Sequence, residues 1–209
     1  MTDTDNQFVA WVQARQKVIG IVAGIVVFLL LAGWYVVESE RRKEAQAFDA
    51  LDQARGAMET GAYADAATAF QRITETFGGT DASLEAALAL SQVRLLSGQA
   101  ELAIEDLRKF IASNPPAFYK SAAHSHLAVA LENTGRVAEA TPEYVRAAEL
   151  ATAPYQKNDA LLNAARTYRI QGNTAEARNI LAGILKNNKD EVAGTAEARV
   201  RLPELDATN

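Results

Sequence analysis

The stretch Gly61-Ala62-Tyr63-Ala64-Asp65-Ala66-Ala67-Thr68-Ala69-Phe70 decides the fold, because its pattern returns at one fixed interval. The glycine recurs at Gly98, Gly135 and Gly172, each 37 residues after the last. Five residues after each glycine stands an alanine: Ala66, Ala103, Ala140 and Ala177. Four further on stands a large apolar residue: Phe70, Leu107, Tyr144 and Leu181. Three positions in phase over four copies mean stacked supersecondary units, not a single closed core.

Working outward from each glycine, the apolar spacing predicts two amphipathic helices per copy. Leu84, Leu88, Leu95 and Leu96 precede Gly98, and Ala103, Leu107 and Phe110 follow it. Leu161, Leu162, Ala165 and Tyr168 precede Gly172, and Ala177, Leu181 and Ile184 follow it. Each role has a physical reason. A glycine just past a helix end takes the left-handed conformation that closes the helix. The small alanine lets the second helix approach its partner, and the large residue one turn later fills the space between pairs. Breakers separate the copies at Gly78-Gly79, Asn114-Pro115-Pro116, Ala153-Pro154 and Asn187-Asn188. Pro142 is expected early in its helix, where proline is tolerated. The repeats are expected over residues 47–189. Residues 190–209 follow as a capping helix and tail, with Val192, Ala196 and Val200 on one face and Pro203 near its end.

The N-terminal part has a different composition. Residues 1–17 form a polar leader, made mildly amphipathic by Phe8, Val9, Trp11 and Val12. Val18–Val37 carries no charge over 20 residues. As a helix it is about 30 Å long, the thickness of a bilayer core. Trp34 and Tyr35 sit at one end, as interfacial aromatics do. A cleavable signal peptide has a shorter apolar region and a small-residue cleavage site; here Trp34-Tyr35-Val36-Val37 and then charges follow. A single transmembrane helix is therefore expected at 18–37, with a helical stalk at 38–46. Whether that helix runs unbroken into the first repeat or breaks near Ser39 is left open by the residues. So is orientation: Arg15 and Lys17 on one side face Arg41, Arg42 and Lys43 on the other.

From residue 18 onward the chain carries 19 basic and 24 acidic residues. That balance opposes a nucleic-acid partner, which requires a basic footprint. With no cysteine, thiolate metal sites and disulfides are excluded. His124 and His126 are the only histidines, and at i,i+2 on a helix they point apart, so they cannot readily share a metal. No catalytic, cofactor-binding or metal-binding residue is assigned, and no enzyme is expected. Acidic pairs such as Glu101 and Glu105 are read as solvated helix surface.

The runs around Gly61, Gly98, Gly135 and Gly172, with Pro115 after the second and Tyr144 and Ala147 in the third, resemble tetratricopeptide repeats. The period is longer than the usual 34 or so residues, which suggests longer helices or loops. The resemblance implies an all-α solenoid of about four helix pairs that binds proteins. The layout as a whole resembles the bacterial membrane-anchored ancillary subunit of the SecYEG translocon. That resemblance implies an inner-membrane protein with a cytoplasmic N-terminus and a periplasmic repeat domain. Its partners would be translocon subunits or periplasmic chaperones. An envelope-assembly or cell-division scaffold is the alternative within the same class, and a small-ligand protein or enzyme is a third reading.

Some domains of the family clamp a C-terminal carboxylate with lysine and asparagine on their first helices. The matching positions here are Leu51, Leu88, Ser125 and Leu162, with Arg55, Gln92, Val129 and Arg166 one turn later, and that pair is missing. Leu88, Leu95, Leu162 and Ile170, with Arg55, Arg166 and Arg169, instead outline a partner groove that is partly apolar. Packing between repeats is the competing explanation for the leucines.

Overall fold

A computed structural model of the 209-residue chain describes residues 3–187 and 193–207. The expectations placed on Asn188, Lys189 and Val192, and on the side chains of Phe8, Val9, Trp11 and Val12, lie outside what is described. Among the described residues the chain is all-α, with nine helices. They are α1 (Asp3–Glu59), α2 (Tyr63–Thr76), α3 (Asp81–Leu96), α4 (Ala100–Ala112), α5 (Ala117–Asn133), α6 (Val137–Leu150), α7 (Pro154–Ile170), α8 (Thr174–Asn187) and α9 (Thr195–Ala207).

The chain divides into two compact units, Met1–Gln46 and Ala47–Asn209. In the first, backbone helix continues through Ser39. The helical segment from Gly20 is long and apolar enough to cross a membrane, and none of its most apolar window is buried against protein. Among the described side chains, fourteen large apolar ones between Val18 and Val37 are at least half exposed. Arg42 Nε donates to Glu38 Oε1 at 2.8 Å, an i,i+4 pair that supports the helix beyond the apolar run.

In the second unit, helices pack on their sequence neighbours from α2 to α9. In addition α3 touches α5, and α5 touches α7. The first helices of successive pairs therefore lie side by side and form one face of a solenoid. The core follows the repeat. Ala66, Ala103, Ala140 and Ala177 are at most 1% exposed, and Phe70, Leu107, Tyr144 and Leu181 at most 2%. Ala47, Leu51 and Ala54 share a cluster with Ala66, Phe70, Ala82 and Ala86, so the last turns of α1 serve as the first helix of the first pair.

The connectors explain the 37-residue interval. In the third copy, helices of 17 and 14 residues are joined by residues 134–136 and 151–153 alone. With such short connectors, the period is set by helix length. At each repeat glycine the helix closes the same way. Gly98 has φ +72, its N–H bonds the Leu95 carbonyl at 3.1 Å, and the Gln99 N–H bonds the Arg94 carbonyl at 2.7 Å. This is a Schellman closure, and the same pair of bonds recurs around Gly61, Gly135 and Gly172.

Pro142 is the sixth residue of α6, past the first turn where a missing N–H costs nothing, whereas Pro203 lies inside α9 near its end at Ala207. Next to Pro142, the Thr141 hydroxyl donates to the Val137 carbonyl at 3.1 Å and accepts from Gln171 Nε2 at 2.6 Å.

Candidate functional site: a groove on the first-helix face

A concavity with partly apolar walls lies between α5 and α7 and ends at Ala193, Gly194 and Glu197. It is open, with a volume of about 460 Å³. One wall comes from α5, where Ser121, Ser125 and Val129 succeed one another at helical spacing. The other comes from α7, where Tyr155, Asp159 and Leu162 do the same. Tyr155 is 53% exposed and Val129 is 39% exposed.

The polar groups of the floor are mostly committed to the fold. Ser121 Oγ donates to the Ala147 carbonyl at 2.8 Å. His126 Nδ1 lies 3.0 Å from Ser91 Oγ, and burial pushes its pKa down, against a backbone hydrogen bond at Leu88 that acts the other way. Tyr144 Oη donates to Glu132 Oε1 at 2.7 Å; burial first, then that bond, pushes its pKa up. Two groups are less committed. Asp159 Oδ2 accepts a long 3.5 Å bond from Asn163 Nδ2. Gln156 Oε1 is buried and has no donor among the described residues.

The residues singled out in the sequence do not all converge here. Leu162 lines the groove but is 4% exposed, most of it packed with Ala177, Leu181 and Ala198. Leu88 and Leu95 are half-buried against the cluster built on Ala103, Leu107 and Leu127. Arg55 pairs with Glu85 of α3 and, at 3.5 Å, with Asp52. Arg166 is held by Glu132. With Arg169 it faces a smaller pocket, about 80 Å³, shared with Leu181, Arg201 and Glu204. His124 is tied to Glu143 at 2.6 Å, so each histidine pins a different neighbouring helix. No group of three metal-ligating side chains occurs among the described residues.

Tyr155, Gln156, Asp159 and Glu197 were not singled out. A signal for three of them existed. The inner-face register that includes Leu162 and Arg166 extends one or two turns back to Asp159 and Tyr155, with Gln156 beside them. Glu197 belongs to α9, whose position no repeat pattern specifies.

The tetratricopeptide repeat-like domain model matches residues 10–144, and a tetratricopeptide repeat model matches residues 159–190. No curated protein matches the chain. Solved structures share its fold at low identity. The nearly identical TPR-like repeats from Podosopora anserina superpose with a TM-score of 0.63 at 16% identity, over 78% of this chain and 86% of that one. Pseudomonas aeruginosa pilF gives 0.61 at 18% identity, over 78% and 68%. YrrB, a TPR protein with an unusual peptide-binding site, gives 0.53 at 19% identity, over 73% and 74%. With a family model covering well over half of its length and the repeat geometry present in each helix pair, this chain belongs to the tetratricopeptide repeat-like family.

Proposed function

We propose that this chain is a membrane-anchored scaffold without catalytic activity, which holds partner proteins on its first-helix face. The observation that carries the reading is the open α5–α7 groove, walled by one face of each of two aligned helices. Its hydroxyl, imidazole and phenol groups serve mainly to join helices. That YrrB, a TPR protein of the same fold, has a peptide-binding site supports a protein or peptide partner.

The anchor is residues 18–37. Leaving fourteen large apolar side chains in water would cost tens of kcal/mol, at about 1.5–3 kcal/mol each, which a bilayer removes. Tethering raises the effective concentration of the groove near other membrane proteins. The partners proposed are bacterial Sec translocon subunits or periplasmic chaperones, with the repeat domain in the periplasm. The support is the order of leader, apolar helix, charged stalk and small repeat domain.

The test is a photo-crosslinking residue at Tyr155 or Val129 in intact bacteria, followed by mass spectrometry. Translocon subunits or periplasmic chaperones are expected. Division or outer-membrane assembly proteins would replace this reading with the envelope-scaffold alternative. A reporter fused after Asn209 should be active in the periplasm, and cytoplasmic activity would exclude the translocon role.

A further inference from the structure

We propose that one edge of the repeat unit, where the first helices of the third and fourth copies begin, rests on anionic lipid headgroups. The contact is made by Lys120, Lys157 and the rings of Phe118 and Tyr155. This goes beyond partner binding in the groove and rests on the membrane anchor at 18–37.

Helix direction defines the edge. Ser91 bonds His126 and Glu132 bonds Arg166, pairs 35 and 34 residues apart and close to one period. The first helices therefore run parallel and begin at one edge. Among the described residues of the repeat unit, the exposed aromatics are Phe48, Phe118 and Tyr155, each near the start of a first helix. Phe118 and Tyr155 stand 37 residues apart, as do Lys120 and Lys157. The second copy has Asp81 and Ser83 at those positions.

That exchange works against the local helices. In α3 the Thr80 hydroxyl accepts from the Ser83 N–H at 3.1 Å, and Asp81 complements the positive end of the dipole. α5 and α7 have no side-chain cap and no acid in the first turn. Their fourth residue is a lysine, which the dipole disfavours there. Among the described residues no carboxylate neutralises either cation. Lys120 donates to the neutral Asn114 Oδ1 at 2.9 Å, and Lys157 is in no ion pair. Lys186, in the last turn of α8, adds a third charge beside the start of α7. Of the nearby acids, Glu149 is paired with Arg146 at 2.8 Å, and Asp159 lies in the groove.

Rings beside unpaired lysines fit a lipid surface. Amphipathic rings settle at headgroup level, and a lysine lays its stem on apolar surface while its ammonium meets phosphate. Each cation near an anionic bilayer adds to the attraction until salt screens it. The chain also enters the repeat unit at this edge, at Ala47, and residues 38–46 alone separate it from the apolar run. An acidic protein would satisfy the lysines but has no such tie to the edge. At the opposite edge the second helices open with Asp65, Glu101, Glu139 and Glu176, and none of the exposed rings lies there.

The experiment places the full chain in lipid vesicles, either neutral or containing phosphatidylglycerol, with a quencher linked to the headgroups. The chain has no cysteine, so Thr152→Cys puts one fluorophore on this edge and Gln99→Cys puts one on the opposite edge. Quenching at position 152 should report a docked-to-undocked ratio about tenfold higher on anionic than on neutral vesicles, falling as salt is raised. The probe at position 99 should not respond. K120Q/K157Q should abolish the difference without lowering the melting temperature, since both lysines oppose a helix dipole. Phe118→Ser should weaken the quenching at 152 on anionic vesicles. Equal quenching at 152 on both vesicles, an equal response at 99, or an unchanged preference in K120Q/K157Q overturns the inference. Weak quenching at both positions on both vesicles also overturns it, and leaves the patch to an acidic protein. A chain that floats with the vesicles but fails these tests loses the lipid contact alone. A chain that does not float with them loses the anchor as well.

Discussion

Arg166 on α7 grips Glu132 on α5 with both terminal guanidinium nitrogens, each 2.7 Å from a carboxylate oxygen. Tyr144 on α6 donates to the same carboxylate, so three helices of the third and fourth copies meet at one charge. The side chains are 30% and 16% exposed, and solvent screening reduces but does not remove the benefit. Arg166→Ala is expected to cost about 2 kcal/mol and Tyr144→Phe about 1 kcal/mol in chemical denaturation of the full chain. The double variant should cost less than the sum, because both donors serve one acceptor. Strict additivity would mean that the carboxylate is not shared in solution.

Acid should weaken the fold in two windows. Burial pushes the Glu132 carboxyl up, but the hydrogen bonds from Arg166 and Tyr144 and the Arg166 charge outweigh it and hold the group below its ordinary value. Such a group stabilises fully above its unfolded value of about 4.3, and that contribution disappears as pH falls through the lower folded value. His126 is also pushed down, by burial. Its unfolded form binds the proton first, so stability drops as pH falls below about 6.5 towards the folded value. Thermal melts between pH 7 and pH 3 should show both slopes. His126→Phe should flatten the upper one alone, and Glu132→Gln the lower one alone. An unchanged upper slope in His126→Phe would show that the ring already titrates freely in the folded chain.

Two glycines with the same sign of φ should differ in what they tolerate. At Gly98 an added Cβ would meet nothing within 4 Å, so Gly98→Ala costs only the left-handed backbone, about 1–2 kcal/mol. At Gly194, φ is +91 and the same atom would lie 3.0 Å from Leu162 Cδ1 and 3.1 Å from Asn158 Cβ. Both neighbours are buried, and Asn158 Nδ2 also donates to the Ala193 carbonyl at 3.0 Å. Gly194→Ala should therefore lower the melting temperature more than Gly98→Ala and loosen α9 from α7. Equal losses at the two sites would mean that the Leu162 contact relaxes without cost.

The difference between these glycines also shows what the sequence made legible. Gly98 was readable because its role repeats: four copies in phase specify four closures, four close approaches at alanine and four buried large residues. Gly194 has no copy to be compared with, and its contact with Leu162 depends on where α9 docks. The groove was legible only as a register. Leu162 and Arg166 lie on the inner face, but a period cannot say that Leu162 is packed beneath Gly194 or that Arg166 is engaged by Glu132, 34 residues away. Asp159 and Gln156 share that register, but the period alone does not say that they line an open groove. Pro142 is expected early in its helix, and the apolar spacing alone does not say that α6 begins at Val137, five residues before it.

Removal of residues 1–40 should leave a soluble, helical protein, whereas the full chain should need detergent. The deletion takes away the uninterrupted exposed apolar run and leaves Ala47, Leu51 and Ala54, which are 1% exposed or less in the first core cluster. What remains of α1 then begins at Arg41, Arg42 and Lys43, and three cations at a helix start oppose its dipole. Some fraying is expected there, because those residues are outside the cluster that holds the helix from Ala47 onward. Circular dichroism should accordingly show helix retained from about Ala47 onward, with a sharp thermal transition. Aggregation of the truncated protein, or loss of its helical signal, would mean that the repeats depend on the N-terminal segment for folding. The exposed run at 18–37 would then have to be explained as a packing surface, not as a membrane span.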